Sequence, residues 1–418
     1  MAATVVSAAA IVADPERVFA PGVLAFAGET ITWVGPTERL PSDVRGAERW
    51  RFPDLVIIPG FVNAHTHLDL SGLRGVIPPG NFCTWVARLL RWLWTHPDYD
   101  RRAAAGAGIA ECVQAGTAAV GDVASVGGLA DSAPAWESAS ALDVGPLGGV
   151  VFLEVLGLGP AAIKAARRRL SDSLPGFSNP RLRIGVSPHA PYGTEPEIYR
   201  ICARFARRNG LRLMTHVAET REECEFLRHG RGLMRAVALL GRLSGTRFDP
   251  PGCSPVQYVA RLGVLAPDVV LVHLNYASDD DIRLVAGAGA HVVFCPGSHR
   301  FFGHDPHPVE RLLDAGVNVA LGTDSLASNE SLSMLREIRL LRESHPAIPA
   351  AQALDMATRN AAVALGIEDA YGTLGPGMSA AFLGLRPPDG LAASDPIEAA
   401  LSPDSRLELV VIAGERIR

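Results

Sequence analysis

Lysine is almost absent from this 418-residue chain: Lys164 is the single example, and arginine supplies every other cationic side chain among the 39 lysines and arginines. That scarcity excludes a P-loop, which needs its lysine on the phosphates, and leaves Lys164 as the sole candidate for Schiff-base chemistry or a bridging metal ligand. An excess of one charge is lacking too, since 44 acidic residues against 39 basic give a net −5. With no basic surplus to meet a nucleic-acid backbone or an anionic membrane, the expected partner is a small molecule, with no nucleic acid and no membrane. Cysteine is sparse, six residues with no C-x-x-C pair among them, which predicts free thiols in a reducing compartment. Long hydrophobic runs are missing as well. Glu154, Gly157 and Pro160 break the best stretch before it reaches the roughly 18 residues of a membrane helix. The apolar start MAATVVSAAAIVAD has no basic segment ahead of it and reads as strand rather than export signal. A cytoplasmic location is expected.

Hydrophobic residues make up 48% and charged residues 20%, a composition that supports a large core and excludes wholesale disorder. Residues 1–58 carry short β-prone runs (23–26, 30–34, 55–58) between Gly and Pro turn signals, and residues 366–418 repeat that texture at 381–385 and 408–412. The two ends are expected to assemble one small antiparallel β-sandwich domain. Between them, in 59–365, apolar runs at 56–63, 118–123, 149–154, 182–187, 211–216, 269–273, 290–295 and 317–323 alternate with helical-period segments such as 85–94, 101–115, 195–209, 222–240, 279–288 and 308–315. This pattern predicts an α/β fold, a (β/α)8 TIM-type barrel. A doubly wound sheet shares the alternation, but no G-x-G-x-x-G follows the first strand.

In a barrel the chemistry sits at the C-terminal ends of the strands. Five of the twelve histidines fall there (His65, His67, His189, His216 and His273), together with Glu219 and Asp324. Alternate strand residues share a face, so His65-x-His67 can present two imidazoles to one cation, although paired strand histidines are as often ordinary hydrogen-bonded structure. His216 and Asp324, from other strands, would complete an N3O donor set with a position left for water. Alone, Asp324 reads as a turn or cap residue before the helix near 329–343; the coincidence of four ligand-type residues on strands one, five and eight argues for a metal. Glu219 suits a general acid/base next to that site, the alternative being a solvated carboxylate at a helix start. His273 suits a residue that positions water or stabilises an oxyanion, the alternative being a core histidine. His189, before Ala190-Pro191-Tyr192, reads as a substrate contact, and Ser325 stands beside Asp324 at the same strand end.

The runs PGFVNAHTHLDLSGLRG (59–75), SPHAPYG (187–193), HVAETREE (216–223), VHLNYA (272–277) and LGTDSLASNESLSMLREIR (321–339) resemble the amidohydrolase superfamily, within it the branch of cytosine deaminases, S-adenosylhomocysteine deaminases and chlorohydrolases. The resemblance spans nearly the whole chain in motif order. It implies one divalent metal, zinc with iron as the alternative, held by His65, His67, His216 and Asp324, with Glu219, His273 and Asp324 catalytic. It further implies hydrolytic loss of ammonia from an amidine-like ring carbon, and dimers are common in the family. Binuclear relatives bridge two metals with a lysine on strand four; Lys164 falls instead in the helical segment AAIKAARRRL. The unrelated zinc-deaminase pattern H-x-E with P-C-x-x-C is absent.

Trp85 matches the position where adenosine-type deaminases of this branch place an aromatic on the base, and a buried core indole is the plain alternative. Two departures stand out: the acidic residue that some S-adenosylhomocysteine deaminases offer to ribose hydroxyls shortly after that Trp is missing, the chain reading RLLRWLWTHPD instead, and Pro296-Gly-Ser-His299 replaces the usual Pro-x-Ser-Asn. FLEVLG (152–157) with SHRFFGH (298–304) resembles the aminodeoxyfutalosine deaminases of menaquinone biosynthesis, whose substrate is an adenine nucleoside carrying a benzoate. Arg300 or Arg74 is expected to pair with that carboxylate, against the plain reading of surface ion pairs. His299, His304 and His307 are expected to line the mouth. The alternatives are deamination of S-adenosylhomocysteine, adenosine or guanine, or dechlorination of a triazine; a non-catalytic binding protein would be expected to have lost a ligand or Glu219.

Overall fold

The computed structural model describes residues 3–41, 47–125, 136–171, 176–235, 249–388 and 395–418. In chain order its strands are β1 (Ala3–Asp14), β2 (Arg17–Phe19), β3 (Gly22–Ala27), β4 (Thr30–Pro36), β5 (Glu48–Pro59), β6 (Phe61–Thr66), β7 (Thr117–Ala124), β8 (Gly148–Val155), β9 (Leu182–Pro188), β10 (Arg212–Val217), β11 (Val269–His273), β12 (His291–Phe294), β13 (Val319–Leu321), β14 (Phe382–Arg386), β15 (Arg406–Ile412) and β16 (Glu415–Arg416). Strands β1–β5 and β14–β16 form one sheet, ordered β16-β15-β14-β5-β1-β3-β4 with β2 on β1. Strands β6–β13 form the other in sequence order. The fold is the expected α/β barrel with a separate sheet domain drawn from both termini.

The terminal sheet buries Val6, Ile11, Leu24, Ile57, Phe382 and Leu409 in a core of its own. Its pairing is mixed rather than antiparallel throughout, because β1 runs parallel to β5. Parallel neighbours need a long connection, and here β2–β4 and the segment after them supply it.

The apolar run 56–63, expected as one barrel strand, belongs to two sheets. Val56, Ile57 and Ile58 pair with β14 in the terminal sheet, while Asn63 lies in β6. The chain crosses at Gly60, whose N–H donates to the Ala381 carbonyl at 2.9 Å. A Cβ there would stand 2.9 Å from the Ala118 Cβ, so only glycine lets the two sheets approach this closely. Hydrophobicity alone could not reveal a change of sheet inside a continuous apolar run.

Barrel closure is irregular, with the Thr323 and Asp324 N–H groups both donating to the His65 carbonyl at 3.1 Å and side chains supplying the rest. β13 has only three residues, and between β6 and β13 the ladder reduces to a single bridge, Thr66 to Asp324. Asn63 fills in: its Nδ2 donates to Thr323 Oγ1 at 2.7 Å, and its Oδ1 accepts from the Thr323 N–H at 3.1 Å. Outside the strands lie amphipathic helices. Pro196–Asn209, for example, buries Ile198, Tyr199, Cys202, Ala203 and Ala206, and stops at Gly210 in the left-handed conformation. The helix expected over 222–240 ends earlier, at His229, where Gly230 takes φ 67°; residues 236–240 lie outside the described residues. Among the described residues no helix is long and apolar enough to cross a membrane.

Candidate active site

At the C-terminal mouth of the barrel the imidazoles of His65, His67 and His216 converge. His216 Nε2 lies 3.3 Å from both His65 Nε2 and His67 Nε2. Nitrogens bound tetrahedrally at about 2.0–2.1 Å from one cation stand about 3.4 Å apart, so this spacing is that of a ligand set. Among the described residues, these three form the group able to hold a metal ion. Their other nitrogens are spoken for differently. His216 Nδ1–H donates to the His189 carbonyl at 3.0 Å, which fixes the tautomer and leaves Nε2 bare. His65 Nδ1 faces the Met214 sulfur at 3.3 Å. Burial, then the neighbouring His65, lowers the pKa of His67 and of His216, which keeps them in the neutral form that binds metal.

Asp324 faces the three imidazoles. Its Oδ1 lies 3.6 Å from His65 Nε2 and 3.8 Å from His67 Nε2, while Oδ2 accepts from Ser298 Oγ at 2.7 Å and Ser328 Oγ at 2.9 Å. One carboxylate oxygen is tethered so that the other faces the histidines. Backbone strain gathers at the same place. Among the described residues five non-glycine residues have positive φ, and Ala218, His273, Leu274 and Asp324, four of them, sit at strand ends around this mouth. Each such residue costs on the order of 1–3 kcal/mol, a strain that tends to collect where side chains must be aimed.

Glu219 and His273 meet across the site, with Oε1 to Nε2 at 3.6 Å. Burial, reinforced by Asp324 and Glu223, pushes the Glu219 carboxyl well above its usual range, which favours its protonated form. Its backbone is held twice: the N–H donates to Glu223 Oε2 at 2.9 Å and the carbonyl accepts from Asn275 Nδ2 at 2.9 Å. Burial pulls His273 down to about 3, leaving it neutral, and its carbonyl accepts from His307 Nε2 at 2.7 Å.

The remaining candidates divide. His189 is within 4.0 Å of Glu154 Oε1, and burial, then His67, lowers it to about 4. Trp85 is buried against Phe82 and Phe302, and its Nε1–H donates to the Ala327 carbonyl at 3.3 Å. Ser325 is buried with its Oγ 3.2 Å from Ser328 Oγ. The arginines expected to meet a substrate carboxylate are engaged elsewhere: Arg300, half-exposed, pairs with Glu343 at 2.8 Å, and Arg74 pairs with Glu111. Arg300 lies in the last turn of the helix Pro296–Phe302 and Arg74 just after the 3-10 turn Leu68–Leu73, places that can offer an arginine to solvent as easily as to a pocket, and the motif does not distinguish the two. His299 bonds the Asp305 carbonyl and His304 the Tyr276 hydroxyl. Sequence reading missed Asn63, Met214, Glu223, Asn275, Ser298 and Ser328. Asn63 and Ser328 lie inside the motif runs, but nothing in their spacing marks them as supports.

Residues 56–417 match the model of the amidohydrolase family. An aminodeoxyfutalosine deaminase from Deinococcus radiodurans is 34% identical over 344 residues, covering 78% of this chain and 77% of its own. A 5-methylthioadenosine/S-adenosylhomocysteine deaminase from Pelotomaculum thermopropionicum is 30% identical over 380 residues, covering 88% of this chain and 80% of its own. Among solved structures, Helicobacter pylori aminofutalosine deaminase in complex with methylthio-coformycin superimposes with a TM-score of 0.85 at 23% identity, over 99% of this chain and 100% of that one. That last likeness bears on the fold.

Proposed function

The chain belongs to the amidohydrolase family and is a hydrolase of carbon–nitrogen bonds, and from that premise we propose that it deaminates an adenosine-type nucleoside, with aminodeoxyfutalosine as the favoured substrate. The observation that carries the reading is a buried Glu219, 3.6 Å from His273, beside three converging imidazoles and the Asp324 carboxylate. Support for the favoured substrate comes from the 34% identity to the Deinococcus radiodurans enzyme.

His65, His67, His216 and Asp324 are assigned as the ligands, and an N3O set of this kind suits zinc. When bound there, the cation supplies Lewis acidity that lowers the pKa of a water molecule towards about 7. Asp324, anchored through Oδ2, accepts the proton of the attacking water on its free oxygen. The oxygen adds to the ring carbon that bears the amine, while Glu219 delivers its proton to the adjacent ring nitrogen. His273, neutral and 3.6 Å from Glu219, donates a hydrogen bond to the incoming oxygen. As the tetrahedral carbon collapses, the ionised Glu219 takes back the hydroxyl proton while Asp324 passes its proton to the amine, which leaves as ammonia. Trp85, His189 and Ser325 are assigned to the substrate side.

The experiment is ammonia release by metal-replete protein from aminodeoxyfutalosine, adenosine, S-adenosylhomocysteine, guanine and cytosine, with Glu219→Gln alongside. Preference for aminodeoxyfutalosine and a loss of about 10²–10⁴-fold in the variant are expected. Absence of ammonia from every compound, with chloride released from a chlorotriazine, would replace this reading.

A further inference from the structure

The segment 296–308, which follows β12, has no part in the chemistry described above, yet it touches two of the residues that perform it. We propose that Ser298 and His307 are positioning residues, the first aiming the Asp324 carboxylate and the second holding the backbone of His273, with Glu337 locking the segment that carries them. The metal-holding and catalytic roles of Asp324 and His273 in this proposal rest on the function proposed above.

Ser298 Oγ donates to Asp324 Oδ2 at 2.7 Å, and both groups are buried. The bridge to Thr66 and the N–H on the His65 carbonyl hold the Asp324 backbone at φ 58°, but the direction of its carboxylate depends on what grips the second oxygen, where Ser328 Oγ at 2.9 Å is the longer of the two donors. Ser298 in turn sits on the short helix Pro296–Phe302, whose start is pinned from outside the barrel. The Gly297 N–H donates to Glu337 Oε2 at 2.7 Å. The other oxygen of Glu337 accepts from Asn329 Nδ2 at 2.9 Å, and that same amide donates to the Thr323 carbonyl at 2.7 Å. One buried glutamate therefore ties the β12 exit to the β13 exit, one residue from Asp324. The close approach also explains Gly297, since a Cβ there would stand 2.4 Å from the Asn329 amide.

His307 works from the far end of the segment. It is buried, stacks on Phe294 with ring centroids 3.8 Å apart, and donates Nε2–H to the His273 carbonyl at 2.7 Å. His273 and Leu274 both have positive φ, 76° and 54°. That turn is otherwise held by the Leu274 and Tyr276 N–H groups on the Val217 and Ala218 carbonyls, both at 3.1 Å. His307 thus braces a strained turn whose purpose is to point the His273 ring at Glu219.

The test uses four variants of the full chain: Ser298→Ala, Ser298→Thr, His307→Phe and His307→Gln. Metal retention is read by competition with a chelator, independently of any substrate. Ser298→Ala is expected to release metal about 10–100-fold more readily, with the melting temperature of the metal-free protein unchanged, and Ser298→Thr to restore retention. His307→Phe keeps the stack on Phe294 but removes the donor. It is expected to retain metal, to speed hydrogen exchange of the Leu274 and Tyr276 amides, and to lower kcat with KM unchanged; His307→Gln should recover part of both. Wild-type metal retention in Ser298→Ala, or wild-type exchange in His307→Phe, overturns the corresponding half. A wild-type protein that releases no ammonia would sink the functional reading while leaving both of those measurements decisive.

Discussion

Asp122 offers a prediction whose size can be worked from the structure. It lies on β7, fully buried, and its Oδ1 accepts the N–H of Leu68, the residue after His67, at 2.9 Å. The nearby Asp69 is already neutralised by Arg101 at 2.6 Å. Burial raises the Asp122 carboxyl from an ordinary 3.8 to about 7, against the opposing hydrogen bonds from Leu68 and Ser138. Because the folded pKa lies above the unfolded one, the native state binds the extra proton between those values, so stability falls as pH rises from about 4 to about 7 and then levels off. At about 1.4 kcal/mol per pKa unit the full difference is about 4 kcal/mol, an upper limit because relaxation around the charged form would reduce it. Asn in place of Asp keeps the acceptor for Leu68 and cannot ionise. Asp122→Asn should therefore gain on the wild type steadily between pH 5 and pH 7 and hold that gain at pH 8, a difference of a few kcal/mol in denaturant titrations of the metal-free protein. A difference that stays constant across that range would mean that Asp122 ionises normally in the folded chain, and the burial argument would fail.

Three further outcomes are expected. Gly297→Ala forces a Cβ to within 2.4 Å of the Asn329 amide and should cost about 1–3 kcal/mol, read as a lowered melting temperature; an unchanged melt would show that Asn329 yields freely. His216→Ala removes the imidazole whose Nε2 stands 3.3 Å from both partners, and metal analysis after dialysis should find the site empty. Arg300→Ala should leave KM for a carboxylate-bearing nucleoside within about twofold, since the exposed Arg300–Glu343 pair contributes about 1 kcal/mol or less. A large rise confined to carboxylate substrates would return Arg300 to the pocket.

The barrel was legible because its signal is local and repeated. Each core strand is a short apolar run, and each cover helix, like Pro196–Asn209, shows one apolar stripe. The converging ligands were legible because imidazoles and carboxylates are rare enough that their recurrence at strand ends is informative. The supports were not. Serine at 298 and 328 and glutamate at 223 and 337 look like ordinary polar residues until folding buries them, and the same holds for the division of the run 56–63 between two sheets.

The amino-acid order by itself determined the alternation of strand and helix, the residues able to hold a metal, and the absence of a lysine placed to bridge two. These depend on residue type and spacing along the chain. Only the tertiary structure decided which way each group points: Asp324 by two serines, His216 by a carbonyl 27 residues away, His273 by a histidine 34 residues on. Those contacts join segments distant in sequence, and the desolvation that raises the Glu219 carboxyl above its usual range exists only once they have closed around it.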